Sequence, residues 1–257
     1  MKQIWHHLNG ISRVEPITET AWRVVEDQSR SSTRKMVDST AEHELLEKLI
    51  EDSKPKFIYQ KSEQAFEGLH YLLSTPFRYP PLRRGSRFGQ RHERNLFYAS
   101  LALETALCEK AFHRLNFLLA SAGNIGGKSV NCTAFNINVS TKGGIDLCKK
   151  PFVDFRERIS SPLSYNDSLA LGAAMRSDGI EAFISYSARS KKNGKNLNIF
   201  TPKALGQNKL LEKTFQIFSC YSTKNSVEFY TTPHPMNAPI VFHAEFFYVN
   251  GQFPMVM

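Results

Sequence analysis

An α+β fold is what this sequence predicts, and three observations predict it. Short apolar or alternating stretches such as NLFYAS, TAFNINVS and IEAFISYS have strand character. Longer stretches with helical spacing, above all LALETALCEKAFHRLNFLLAS, stand between some of them. The two kinds do not alternate as regular strand–helix units, which removes the parallel α/β classes. A domain of roughly 160 to 180 residues behind a lead-in accounts for most of the 257 residues.

The elements follow in order. Residues 1 to 65 are expected to form a largely helical lead-in that holds one short strand, AWRVV (Ala21 to Val25). Ser39 and Glu42 have capping-box spacing ahead of an apolar stripe, Leu45, Leu46, Leu49 and Ile50, and Pro55 closes that helix. FEGLHYLLSTPFR is open between helix and strand, and FRYP beyond it is expected to be extended. Pro80, Pro81, Gly85 and Gly89 make a loop, NLFYAS is a strand, and Ser100 is expected to cap the long helix. Turns are predicted at Gly123 to Gly127 and at Gly143 and Gly144, on either side of TAFNINVS. Asp167 or Ser168 is expected to cap a short helix that Gly179 ends, and LNIFTP, KTFQIFSCYS and SVEFY supply further strands. The tail from residue 231 has no predicted structure. The domain proper is expected over residues 66 to 230.

The composition is that of an ordinary globular protein, with 41% apolar and 22% charged residues. A formal charge of +9 favours anionic partners, among them nucleic acid, nucleotides and acidic proteins. Because the basic residues are dispersed over several loops and not gathered on one helix, a non-catalytic nucleic-acid binder ranks last. The four cysteines contain no Cys-x-x-Cys pair, the histidines have no ligand spacing, and no metal is expected. No apolar signal core or membrane-length stretch occurs, so a soluble cytoplasmic protein without membrane contact is expected. GNIGGKS misses the first glycine of a phosphate loop, since Ala122 stands there, and no G-x-S-x-G elbow occurs.

The chemistry concentrates in GSRFGQRHERNLFYASLALETALCEKAFHR, where Arg87, Tyr98 and Glu109 succeed one another at intervals of eleven. Arg78, Arg83, Arg84, Arg87 and Arg91 surround a Gly- and Pro-containing loop, and their planar forks suit a pyrophosphate, although from charge alone a solvated basic loop is the better explanation. Tyr98 ends a strand where its ring can stack on a flat ligand or simply pack. Glu109 has Thr105, Ala106, Phe112 and His113 as its helical neighbours, which sets a carboxylate at the border of the apolar face, either at a cleft or in a surface ion pair.

FRYPPLRRGSRFG, FYASLALETALCE, SLALGAAMRSDGIEAF and YSAR followed by NLNIFTP, in that order over Phe77 to Tyr230, resemble the RES-domain family, many of whose members are toxins of bacterial toxin–antitoxin pairs. The resemblance implies a split, twisted sheet like that of ADP-ribosyltransferase toxins and cleavage of the nicotinamide–ribose bond of NAD. It implies that Arg87 holds the dinucleotide phosphates, Tyr98 packs at the nicotinamide end, Glu109 is the catalytic carboxylate and Ser187 the family's serine, with Ser168 as rival. The first arginine falls on Arg78, followed by Tyr79, with Arg23 as the alternative. NAD is then a substrate and not a resident cofactor, inorganic phosphate a possible co-substrate, and ADP-ribosyl transfer to a macromolecule the alternative activity. A cognate antitoxin is the implied partner, and nucleic acid is met only through it.

Overall fold

The structure is a computed structural model that describes residues 4–26, 65–66, 68–78, 85–123, 127–206, 211–232 and 238–255, with Ser39, Ala41, Glu42, Leu45, Leu46 and Leu49. Among the described residues, the α-helices and strands with complete bounds run in the order α1 (Ile4–His7), β1 (Glu15–Glu26), α2 (Tyr71–Arg78), β2 (Phe97–Ser100), α3 (Leu103–Ala120), β3 (Lys128–Asp146), α4 (Arg156–Ile159), α5 (Asn166–Ser177), β4 (Ala182–Tyr186), β5 (Lys195–Ile199), β6 (Gln216–Ser222), β7 (Ser226–Thr232) and β8 (Ile240–His243). The mixed α+β class is as expected.

All eight strands join in one sheet of order β1-β2-β5-β4-β3-β6-β7-β8, and β1 also pairs with β3. That extra pairing closes a ring, β1-β2-β5-β4-β3, around a core that includes Ala21, Phe97, Phe135, Ile137, Ile184 and Leu197. The sheet divides at β3: its first residues pair with β6, its middle with β1, and its last three run parallel to β4. A strand nineteen residues long can serve three neighbours because twist carries its ends away from one another.

Several elements depart from expectation. The lead-in contributes a twelve-residue strand, β1, to the sheet; its alternation of Ile17, Ala21 and neighbours puts one face into the core, so residues 15–26 pack with the main domain. The capping box does form, with reciprocal bonds between Ser39 and Glu42, yet Leu45 and Leu49 stay exposed. FRYP is not extended at Phe77 and Arg78, which end α2; Leu73 and Phe77, four apart, bury the same face, and Pro76 is accommodated inside the helix. No turn interrupts residues 143 and 144: Gly144 lies on Glu15 and Ala182, where any side chain would strike Ile17, so the pair of glycines lets β3 pass from one partner to the next. Ser100 stays in β2 and donates to Asn196, leaving Ala102 as N-cap of α3. At α5 the N-cap is Tyr165; Asp167 pairs instead with Arg158 at 2.6 Å, and the Ser168 hydroxyl donates to the Tyr165 carbonyl. Gly179 ends α5 as foreseen, with φ of +76°. The tail adds β8 beside β7. No helix among the described residues is long and apolar enough to cross a membrane.

Candidate active site

A cavity of about 660 Å3 opens between α3, the end of β1, the loop at 85–88 and the β4–β5 region. Three of its walls carry the chemistry.

The first wall is α3. Leu107, Cys108, Ala111, Phe112 and Leu115 bury one face against the β6–β7 side of the sheet, which turns Ala106, Glu109, Lys110, His113 and Asn116 toward the cavity. Glu109 is fixed from outside its own helix. The Ser187 hydroxyl donates to its Oε1 at 2.6 Å, and the Asn196 amide donates to the same oxygen at 2.8 Å. Ser187 follows β4 directly and is itself held by N–H bonds from Arg189 and Ser190 at 3.1 and 3.0 Å. Asn196 lies on β5 and accepts from Ser100 of β2 at 2.8 Å. Oε2 of Glu109 takes no hydrogen bond among the described residues and is left for a ligand.

The second wall is the loop before β2. Gly85 adopts φ of +80°, and Ser86 and Gly89 bridge across the turn. The Tyr98 hydroxyl donates to Ser86 Oγ at 2.9 Å and accepts from the Phe88 N–H at 3.2 Å, so a strand residue pins the loop. Burial pushes that phenol up to about 12. Helix α5 presses on the loop from behind: a Cβ on Gly172 would come within 2.2 Å of the Phe88 carbonyl oxygen. Held this way, Arg87 donates to the Ser161 carbonyl at 2.7 Å and stacks over the Tyr165 ring at 4.4 Å.

The third wall brings two further arginines. Arg23 of β1 donates to the Tyr98 carbonyl at 2.7 Å and lies 4.4 Å from the Phe97 ring, and burial lowers its guanidinium to about 10. Arg189 is 5% exposed, packs 3.5 Å over Phe112 and donates to the Pro162 carbonyl. Burial, then the nearby positive charge of Arg87, lowers its guanidinium too, against the opposite pull of Tyr165 and Glu109. Lys110 also lines the cavity but is paired with Glu26 at 2.8 Å.

Arg87, Tyr98 and Glu109 line one cavity, and Ser187 stands behind Glu109, buried and bonded to its Oε1. Ser168 is fully buried in α5, donates to the Tyr165 carbonyl and does not line the cavity. Arg23 lines the cavity; the side chain of Arg78, and Tyr79, Arg83 and Arg84 altogether, lie outside the described residues. Arg189, Asn196 and Tyr165 were not singled out in the sequence. Arg189 sits inside YSAR and could have been flagged there, but nothing local marks Asn196, whose role depends on β5 lying beside β2. Among the described residues no three His, Cys, Asp or Glu side chains converge as metal ligands.

Cationic side chains on two sides, one oriented carboxylate and aromatic rings between them define a pocket for a flat, anionic ligand. The RES domain model matches residues 63–216, and the chain belongs to that family. The match stops short of β1, so Arg23 lies outside it. No curated protein matches the chain. Among solved structures, the MbcT-MbcA toxin-antitoxin complex of M. tuberculosis is similar over 85% of this chain and 92% of that one, with a TM-score of 0.45 and 11% identity.

Proposed function

We propose that this protein cleaves the nicotinamide–ribose bond of NAD and acts as the toxin of a toxin–antitoxin pair. The observation that carries the chemistry is the carboxylate of Glu109, oriented through one oxygen by Ser187 and Asn196 and offering the other to a ligand.

When the glycosidic bond breaks, its electron pair stays with the ring nitrogen of nicotinamide, which leaves neutral, and positive charge develops on the ribose. A fixed carboxylate beside that carbon stabilises the charge without having to reorganise. It also accepts a hydrogen bond from a ribose hydroxyl, which holds the sugar for attack. Arg87 and Arg23 supply forked donors for the pyrophosphate, so binding energy remote from the reacting bond positions it. In this reading Arg23, which lines the cavity, does the work expected of the first arginine. The Tyr98 ring supplies the flat wall at the nicotinamide end. A nucleophile then closes on the ribose carbon and loses its proton to solvent.

Incubating the full chain with NAD and measuring free nicotinamide tests the reading, and an inert protein would refute it. Repeating the assay with and without inorganic phosphate distinguishes phosphorolysis from hydrolysis. Intact mass measurement of candidate acceptors detects ADP-ribosyl transfer in their place. The implied antitoxin would cover this cavity, and co-expression with the adjacent gene product, followed by co-purification, tests that part.

A further inference from the structure

Two polar atoms in the cavity wall are buried without a hydrogen-bond partner, Nε of Arg23 and Oδ1 of Asn116. Arg23 is anchored through its other atoms, at the Tyr98 carbonyl and over Phe97. Asn116 makes no side-chain hydrogen bond at all among the described residues. A buried amide oxygen left without a donor is a standing cost to the fold, and native proteins keep such a group where a ligand or a water satisfies it.

The placement of Asn116 says which part of a ligand it meets. It lies seven residues beyond Glu109 on α3, which is about two turns and about 10.5 Å along the helix axis, on the same face. Ala106 and His113 line the cavity on that face too, so one strip of helix runs from the carboxylate to the free amide. Arg87, in the loop that Tyr98 pins, and Arg23, on the Tyr98 carbonyl, line the same cavity, and the positive charge of Arg87 acts on His113, between Glu109 and Asn116. A dinucleotide that places its reacting ribose at Glu109 and its phosphates by these arginines carries its second base along the strip toward Asn116.

A carboxamide in this position can read a purine. Asparagine pairs with adenine by accepting from the exocyclic amine while donating to the neighbouring ring nitrogen. A 6-oxopurine presents two acceptors on that edge, which sets Oδ1 against an oxygen and leaves it unpaired. The His113 ring, one turn nearer Glu109, offers a face for the base to stack on. The geometry points to Asn116 as the residue that selects an adenine over a 6-oxopurine at the far end of the ligand, an inference that rests on the NAD reading above.

Calorimetric titration of the full chain with ADP-ribose and with its hypoxanthine counterpart tests this directly, alongside nicotinamide release from NAD and from nicotinamide hypoxanthine dinucleotide. The wild type should bind ADP-ribose at least about tenfold more tightly than the hypoxanthine compound. Asn116→Leu should bind the two alike and raise the KM for NAD about tenfold, while Asn116→Asp, which keeps an acceptor, should retain the preference. Because the Asn116 side chain has no internal hydrogen bond to lose and its buried oxygen is a cost to the fold, the ligand-free melting temperature of Asn116→Leu should equal or exceed that of the wild type. Equal binding by the wild type, absence of binding, or a preference undiminished in Asn116→Leu would each overturn the inference. Base-selective binding without nicotinamide release would refute the NAD-cleaving activity and leave the base selection standing; release without base preference would do the reverse.

Discussion

Glu109 is held by residues from two other elements, Ser187 after β4 and Asn196 on β5, whereas Arg87 sits in a loop pinned by a tyrosine only eleven positions downstream. The carboxylate corner exists only once β2, β4 and β5 have paired, because Ser100, Asn196 and Ser187 reach it from three neighbouring strands and their ends. The loop of the arginine corner is assembled from its own stretch of chain, while Gly172 backs the loop and the Ser161 carbonyl and Tyr165 ring hold the Arg87 side chain from a distance. The one wall therefore depends on the sheet and the other on a turn, and substitutions should separate them.

The largest effect is expected at the carboxylate. Glu109→Gln keeps the shape and an acceptor for Ser187 and Asn196 but removes the charge, and nicotinamide release should fall by about 10²- to 10³-fold with the protein still folded, as circular dichroism would report. Undiminished turnover would detach Glu109 from catalysis. At the other corner, Arg87→Ala should raise the KM for NAD by about 10- to 100-fold, and Arg87→Lys should recover only part of it, because an ammonium cannot present the planar fork. Steady-state kinetics showing a change in kcat alone would break the division between a chemical wall and a binding wall.

Smaller effects test what supports each corner. Ser187→Ala leaves Glu109 with the Asn196 bond alone and strands the Arg189 and Ser190 N–H groups; kcat should drop about tenfold and stability by about 1 kcal/mol, measured by denaturant melts. Gly172→Ala forces α5 away from the Phe88 carbonyl and should cost about 1–3 kcal/mol, with a rise in KM smaller than that of Arg87→Ala. Tyr98→Phe should cost about 1 kcal/mol through the loss of the Ser86 and Phe88 bonds. It also has a pH signature. The folded phenol, raised to about 12 from the usual 10, contributes stability that is complete below pH 10 and lost as pH rises through about 12. Arg23, lowered to about 10 from 12.5, acts with the opposite sign above pH 10, so the comparison of wild type with Tyr98→Phe is what isolates the tyrosine.

The same division decides what could be read from the chain alone. The β2–α3 corner is legible because its residues are contiguous and their periodicity is plain: a short strand, then a helix with Glu109 at the edge of its apolar face. The Arg87 loop is legible for the same reason. The bond from Ser187 to Glu109 spans 78 positions and could be anticipated only through the family resemblance. Asn196 escapes sequence reasoning, and Arg23 emerges from it only as the alternative first arginine, because a strand residue's part in a site is set by which strands lie beside it. The length of β3 was hidden by Gly143 and Gly144, which locally signal a turn but here permit close approach of β1. Ser100 has the composition of a cap but stands two residues before the actual N-cap, Ala102, and its hydroxyl bonds Asn196.

The surroundings of Ser187 bear on what kind of serine it is. A hydroxyl has one proton to give and two lone pairs to offer. Here the proton goes to Glu109, and the N–H groups of Arg189 and Ser190 occupy both lone pairs. Three bonds and burial hold this hydroxyl in place as a donor to Glu109, so in the proposed reading Ser187 positions the carboxylate and no acetal between its Oγ and the ribose carbon is expected on the path. Sulfonyl fluorides and fluorophosphonates, which trap activated serines, should leave this protein unlabelled and fully active.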